Sequence, residues 1–198
     1  MSQKYKIIAI AGATCSGKTT LAQRLRARLR HCSVLHQDDY YKEPSEIPSF
    51  NDTTDKWDDP IAIQWSKLSG HVARISSQPY LESCPVCQEM KGEESRPTEQ
   101  LLHYVIVEGT MVLYSREMLD LFDLSFFLTL DYETSKARRS ARTYDHDTVK
   151  FFDGHVWPMY LEMESKVSSY STSVTLLNGR RSLEDLEEEI SRAVADKR

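Results

Sequence analysis

The sequence predicts an α/β protein built on a mainly parallel, doubly wound sheet of five strands, with a small lid. Three observations carry that prediction. Short apolar runs recur at residues 6–11, 33–36, 103–107, 124–130 and 173–177. Capped or amphipathic helical stretches separate them, the alternation expected of a parallel sheet. The first run ends in Gly12-Ala13-Thr14-Cys15-Ser16-Gly17-Lys18-Thr19, and a helical pattern over 20–30 follows at once.

That octapeptide has the spacing of a phosphate-binding loop. Its two glycines let the backbone curl until several N–H groups point inward at phosphate oxygens. The helix that follows adds its positive N-terminal end. ATP-binding residues are therefore expected at Gly12, Ala13, Thr14, Cys15, Ser16, Gly17, Lys18, Thr19 and Thr20. Lys18 would reach the β- and γ-phosphates as a catalytic residue, and the Thr19 hydroxyl would hold Mg²⁺. The competing reading is a βα turn that binds nothing. The correct flanking strand and helix argue against it.

Bulk properties narrow the class. A chain of 198 residues suits one domain, here 1–198. No apolar run approaches the ~20 residues of a membrane span, so no membrane partner is expected. The N-terminal residues 1–6 lead straight into a strand, without a signal-peptide pattern. A cytoplasmic protein is expected, with a nuclear location also compatible. Net charge is −5, which argues against general nucleic-acid binding. Cys84-Pro85-Val86-Cys87 is a lone CxxC without the second ligand pair a zinc site needs. Two free thiols in a surface loop are favoured over zinc or a local disulfide. Asn51-Asp52-Thr53 is a glycosylation sequon that a cytoplasmic chain would not use.

Along the chain, Leu21, Leu25 and Leu29 share one face of the first helix. Arg24, Arg26, Arg28 and Arg30 alternate around that cylinder and read as a solvated surface. Residues 43–59 carry no period and read as a loop. Asp59 before Pro60 reads as an N-cap and first-turn proline, opening a helix to about residue 76 with Ile61, Trp65, Leu68 and Val72 on one face. Residues 78–99 read as an exposed insert loop. Residues 111–122 are ambiguous, with a short helix from Ser115. Asp131 caps a helix over 132–142. Residues 143–154 read as loop, and a helix follows from residue 157 or 158 to 168. Ser182-Leu183-Glu184-Asp185 opens the last helix as a capping box.

Chemistry concentrates at strand ends. Gln37-Asp38-Asp39-Tyr40-Tyr41-Lys42 follows strand two, and Glu108 closes strand three. Carboxylates there lie on the ligand-binding edge of an open α/β sheet. Asp38 is the candidate acceptor for an alcohol proton and a neighbour of Mg²⁺. Asp39 is its alternate, and Glu108 is a candidate Mg²⁺ ligand. A guanine-reading Asn-Lys-x-Asp is absent, and the chain has no room for a motor's second domain. Lys136, Arg138, Arg139 and Arg142 form a basic segment that could close over a transferred phosphoryl group, giving a lid at about 136–154.

These residues resemble the eukaryotic nicotinamide riboside kinases, of the uridine kinase-like P-loop kinase group. Phe152-Asp153-Gly154-His155-Val156-Trp157-Pro158-Met159-Tyr160-Leu161 is similar to the segment after that family's lid. The stretch Gln37 to Lys42, Val107-Glu108-Gly109, Arg138-Arg139-Ser140 and Arg142-x-Tyr144 also resemble it. The resemblance implies ATP- and Mg²⁺-dependent phosphorylation of nicotinamide riboside, and of nicotinic acid riboside, within NAD biosynthesis. It implies a small-molecule riboside partner and a monomer, a dimer being the alternative. By position it places the pyridine ring between Trp57 and Tyr144, and the ribose hydroxyls on Asp58 and Arg139. Asp38, Asp39, Tyr40, Tyr41 and Asp145 complete the implied riboside site. Arg138, Arg142, Thr143 and Tyr144 fall on the ATP-facing lid, and Arg181, Ser182 and Leu183 near the adenine. Trp57 stands where the family often has Tyr, Ala137 replaces a basic residue, and the 78–99 insert has no counterpart. A uridine or other nucleoside kinase is the nearest rival. A non-catalytic ATP-dependent binding module is the rival of another class, and it would not need Asp38.

Overall fold

The computed structural model describes residues 4–29, 31–47, 57–77, 102–142 and 151–196. Five strands form one sheet: β1 (Lys4–Gly12), β2 (Cys32–His36), β3 (Leu102–Glu108), β4 (Leu124–Thr129) and β5 (Thr175–Asn178). Their order is β2-β3-β1-β4-β5, and every pairing is parallel. The helices are α1 (Lys18–Arg28), α2 (Trp65–Ser77), α3 (Arg116–Leu119), α4 (Tyr132–Ser140), α5 (Trp157–Ser169) and α6 (Leu183–Asp196).

The strands alternate their side chains between two cores, as pleating requires. Ile7, Ala9 and Ala11 of β1 face Leu68, Val72 and Ile75 of α2 with Met163 and Val167 of α5. Ile8 and Ile10 face the opposite way, against Leu21 and Leu25 of α1 and Leu186, Ile190 and Val194 of α6. β1 is central and buried on both sides, so it reads as an uninterrupted apolar run.

Three local expectations need correction. The helix expected from Pro60 is two pieces: a 3₁₀ turn, Pro60–Ala62, then α2. Asp59 caps the 3₁₀ turn, accepting from the Ile61 N–H at 2.8 Å. Between the pieces Ile63 is extended and bridges Tyr41. The Lys42 N–H donates to the Ala62 carbonyl and the Gln64 N–H to the Tyr40 carbonyl, each at 2.8 Å. Those bonds between the two segments outcompete helical continuation, and Ile61 is left exposed. The loop expected through residue 154 ends earlier, because Phe152–Val156 form a π-helical turn running into α5. Finally, Arg24 and Arg28 are not simply solvated. Four residues apart, they share a face of α1 and both pair with Glu187 of α6, Arg24 also with Glu184.

The short helix from Ser115 is present as α3, with the Met118 N–H donating to the Ser115 hydroxyl. The cap at Asp131 is present on α4, and Ser182 caps α6 by accepting from the Asp185 N–H.

Gly12 shows why the sheet dictates the loop's first residue. Its φ is 136°, and a Cβ there would lie 2.2 Å from the Leu128 carbonyl oxygen of β4. Backbone strain and collision would act together. Gly12→Ala should therefore lower stability by at least about 2 kcal/mol. A urea unfolding curve reads this as a lowered midpoint.

Candidate active site

The carboxyl ends of β1, β2 and β3 gather the chemistry. The loop after β1 turns through left-handed backbone at Cys15 (φ 57°) and Gly17 (φ 93°) before α1 begins at Lys18. Such a sequence of turns aims successive N–H groups into one concavity. The Ser16 hydroxyl is buried there with no hydrogen-bond partner among the described residues, as an oxygen ligand would require. Lys18 is only 7% exposed, and its ammonium donates to the Ala13 carbonyl at 2.7 Å. Burial pulls its pKa below the usual lysine value, while Glu108 and Asp38 pull it back up.

The loop is braced from outside by α4. The Ser135 hydroxyl donates to the Thr14 carbonyl at 3.4 Å. Arg138 donates to the Cys15 carbonyl at 3.3 Å and to the Gly179 carbonyl at 3.1 Å. Arg138 thereby spans the phosphate loop and the turn after β5. Leu183 lies against the loop from α6, 3.4 Å from where a Gly17 Cβ would stand. Arg181 is exposed and pairs with Glu189, and Ser182 serves as the α6 cap. Thr20 is exposed on the first turn of α1. Arg142 is exposed at the end of α4, close enough to Lys18 to lower its pKa further.

On the acidic side, the Thr19 hydroxyl donates to both oxygens of Glu108, at 3.1 and 3.2 Å. Glu108 is 4% exposed and also shares a 2.7 Å hydrogen bond with His36 Nδ1. Asp38 stands in the 3₁₀ turn Gln37–Tyr40 after β2. Burial, then the Glu108 carboxylate, raise its pKa above the usual carboxylate value against the opposing pull of Lys18. Among the described residues, no three His, Cys, Asp or Glu side chains form a metal cage. One hydroxyl and two carboxylates still fit Mg²⁺, which keeps several waters and takes few protein oxygens beside phosphate.

The residues expected at a riboside site converge only in part. Trp57 meets Tyr41 edge-on, with centroids 5.2 Å apart and planes at 88°. Burial and the nearby Asp38 and Asp58 carboxylates raise the Tyr41 phenol pKa. Asp58 pairs with Arg139 at 3.4 Å. Asp39 is exposed beside Asp38. Tyr40 is a correction. It is 5% exposed in the core, with its hydroxyl bonded to His71 of α2. Its neighbour Tyr41, only partly buried against the same core, meets Trp57 instead. Thr143, Tyr144 and Asp145 lie outside the described residues, as do Cys84, Cys87, Asn51, the 78–99 insert and part of the expected lid.

A cavity opens between the phosphate loop and α5, with Thr14 and Asp58 on its polar rim and Met111, Met159 and Met163 on its apolar side. Sequence reasoning missed two residues that shape this edge. His36 could have been found from strand register, since it lies directly across from Glu108 on the neighbouring strand. Gln37 is fully buried, its amide oxygen accepting from the Met111 N–H at 2.8 Å. It packs on Gly109, where a Cβ would lie 2.3 Å from its own Cβ. Gln37 thus pins the turn carrying Asp38 to the end of β3.

Comparison with known proteins places the chain in a family. Residues 8–158 match a family model described as an AAA domain. Human nicotinamide riboside kinase 1 is 37% identical over 184 residues, which cover 92% of this chain and 88% of its own. The rat protein of the same name is 36% identical, covering 92% and 90%. The chain belongs to the nicotinamide riboside kinase family. The fission-yeast nicotinamide riboside kinase (Schizosaccharomyces pombe) is 30% identical, covering 83% of this chain and 81% of its own. Among solved structures, a possible uridine kinase from Bacillus stearothermophilus matches with a TM-score of 0.53 at 18% identity, over 88% of this chain and 90% of that one. A sugar kinase from Janibacter matches with a TM-score of 0.51 at 17% identity, over 94% and 92%. The family's shared architecture is the P-loop NTPase fold.

The charge arrangement has a direct consequence. Replacing Glu108 by Gln removes one of the groups that raise the Asp38 pKa. In an NMR titration of the free protein, Asp38 should titrate above the usual ~3.9 of a carboxylate, and Glu108→Gln should move it downward.

Proposed function

We propose that this chain transfers the γ-phosphoryl group of ATP to the 5′-hydroxyl of nicotinamide riboside, and accepts nicotinic acid riboside as well. The product is the mononucleotide, an intermediate of NAD salvage. The observation that carries this reading is the meeting, at one sheet edge, of a phosphate loop, the Asp38 carboxyl and an aromatic and acidic pocket. Family membership supports the same reaction.

The roles follow from placement. Asp38 receives the proton of the 5′-hydroxyl as that oxygen bonds to phosphorus and the bond from phosphorus to the ADP oxygen breaks. A carboxylate with a raised pKa is the stronger base for this task. Lys18 offsets charge on the transferring group, and Arg138 and Arg142 add positive charge from the α4 side. Mg²⁺, held through Thr19, Glu108 and Asp38, would neutralise phosphate charge and orient the terminal phosphoryl group. Leu183, with Arg181 and Ser182, borders the adenine.

Nicotinamide riboside carries a pyridinium cation, which an aromatic face attracts by ~0.5–2 kcal/mol. Trp57 supplies one such face and Tyr144 the other in this proposal, with Thr143 on the nucleotide and Asp145 on the riboside. Asp38, Asp39 and Asp58 add a negative field, and Tyr41 steadies Trp57 from its edge. The enzyme acts as a cytoplasmic monomer. Among the described residues, no helix is long and apolar enough to cross a membrane.

Three outcomes are expected. Asp38→Asn should cut kcat by about 10²- to 10⁴-fold while a non-hydrolysable ATP analogue still binds; near-normal turnover would remove Asp38 as the base. As pH falls through the raised Asp38 pKa, the base becomes protonated, so kcat/KM should fall on the acid side with a pKa above the usual carboxylate value. Trp57→Ala should raise KM for nicotinamide riboside by about threefold to tenfold and leave that for ATP nearly unchanged. Running uridine beside nicotinamide riboside separates the two kinase readings, because a neutral pyrimidine gains nothing from the cation-binding face.

A further inference from the structure

We infer that Thr14 is a positioning residue for the acceptor: its hydroxyl holds Arg139, so that the donor loop and the acceptor cavity share one fixed wall. The inference rests on the riboside kinase reading above.

The loop binds phosphate through backbone N–H groups, a task that does not require the Thr14 side chain. That side chain turns instead toward α4. Arg139 donates from Nη1 to Thr14 Oγ1 at 3.1 Å and from Nη2 to Asp58 Oδ2 at 3.4 Å. Arg139 is 8% exposed, although its neighbours Arg138 and Ser140 on the same helix are exposed. A buried guanidinium is tolerated only where its donors meet acceptors. Because the group is planar and rigid, its two terminal nitrogens cannot move independently. The two contacts therefore set the spacing between Thr14 and Asp58. Both residues line a cavity beside the loop. Arg139 thus ties the segment that receives the donor phosphates to the carboxylate that faces the acceptor.

The loop's main chain is held separately. Ser135 donates to the Thr14 carbonyl, and Arg138 donates to the Cys15 carbonyl. Removing the Thr14 hydroxyl therefore leaves the phosphate cradle braced. It removes one anchor of Arg139, whose guanidinium keeps its bond to Asp58 but loses the fixed orientation that places that carboxylate. The loss falls on the riboside and spares the nucleotide.

The test compares Thr14→Val, Thr14→Ser and Arg139→Ala, alone and with Thr14→Val combined with Arg139→Ala, using the full chain. Thr14→Val should raise KM for nicotinamide riboside by about fivefold or more while KM for ATP changes by less than about twofold. Thr14→Ser, which keeps the hydroxyl, should restore the riboside KM. Thr14→Val should add nothing further once Arg139 is gone. An equal loss for ATP and riboside, no rescue by Ser, or multiplying losses in the double variant would each overturn the inference. If the wild-type protein phosphorylates no riboside, the function reading fails instead. The same four proteins then report through thermal unfolding midpoints: non-additive shifts support the Thr14–Arg139 link, and additive shifts overturn it.

Discussion

The structure depends on keeping one ammonium group charged where water is nearly excluded. Lys18 opens α1 at the floor of the phosphate loop, almost wholly buried. Desolvating a cation costs several kcal/mol unless partners replace the lost water. The Ala13 carbonyl is one partner, and Glu108 and Asp38 supply the opposing charge. Those carboxylates are in turn held by other groups, Glu108 by Thr19 and His36, and the Asp38 turn by Gln37. A polyphosphate entering the loop meets a cation already offset by acids, and an Asp38 carboxyl whose pKa burial and the Glu108 carboxylate have raised. The same balance that permits the burial sets the basicity of Asp38.

A second constraint is mechanical. The loop curls because Gly12 and Gly17 allow it, but its outer surface is carried by α4. Ser135, Arg138 and Arg139 each reach a different oxygen of the loop. The basic segment is thus a brace as well as a source of positive charge. Sequence marks this segment only as basic, because periodicity reports which residues share a face and not what that face meets.

Legibility in the sequence followed the range of the interaction. The phosphate loop could be read outright, since eight consecutive residues both create the nest and aim it. The five strands were legible because burial on both faces makes them continuous apolar runs. Caps at Asp131 and Ser182 were legible because the cap and its N–H partner are three residues apart. Pro60 misled because the bonds that stop its helix come from Tyr40 and Lys42, about twenty residues upstream. Tyr40 misled for a related reason. Adjacent tyrosines look equivalent in a motif, and only the packing of α2 sends one to His71 and the other to Trp57.

By itself the sequence determined a parallel α/β sheet, a phosphate loop at its first crossover, and acids placed at strand ends, because these arise from local spacing and alternation. Tertiary structure alone decided which of those groups meet. His36 faces Glu108 through strand register, Arg139 joins Thr14 to Asp58 across most of the chain, and Arg24 and Arg28 find Glu187 on the last helix. The physical reason is that each such contact closes a long stretch of chain. Its geometry is set by the summed packing of the sheet and its two helical layers, which no short window of residues contains.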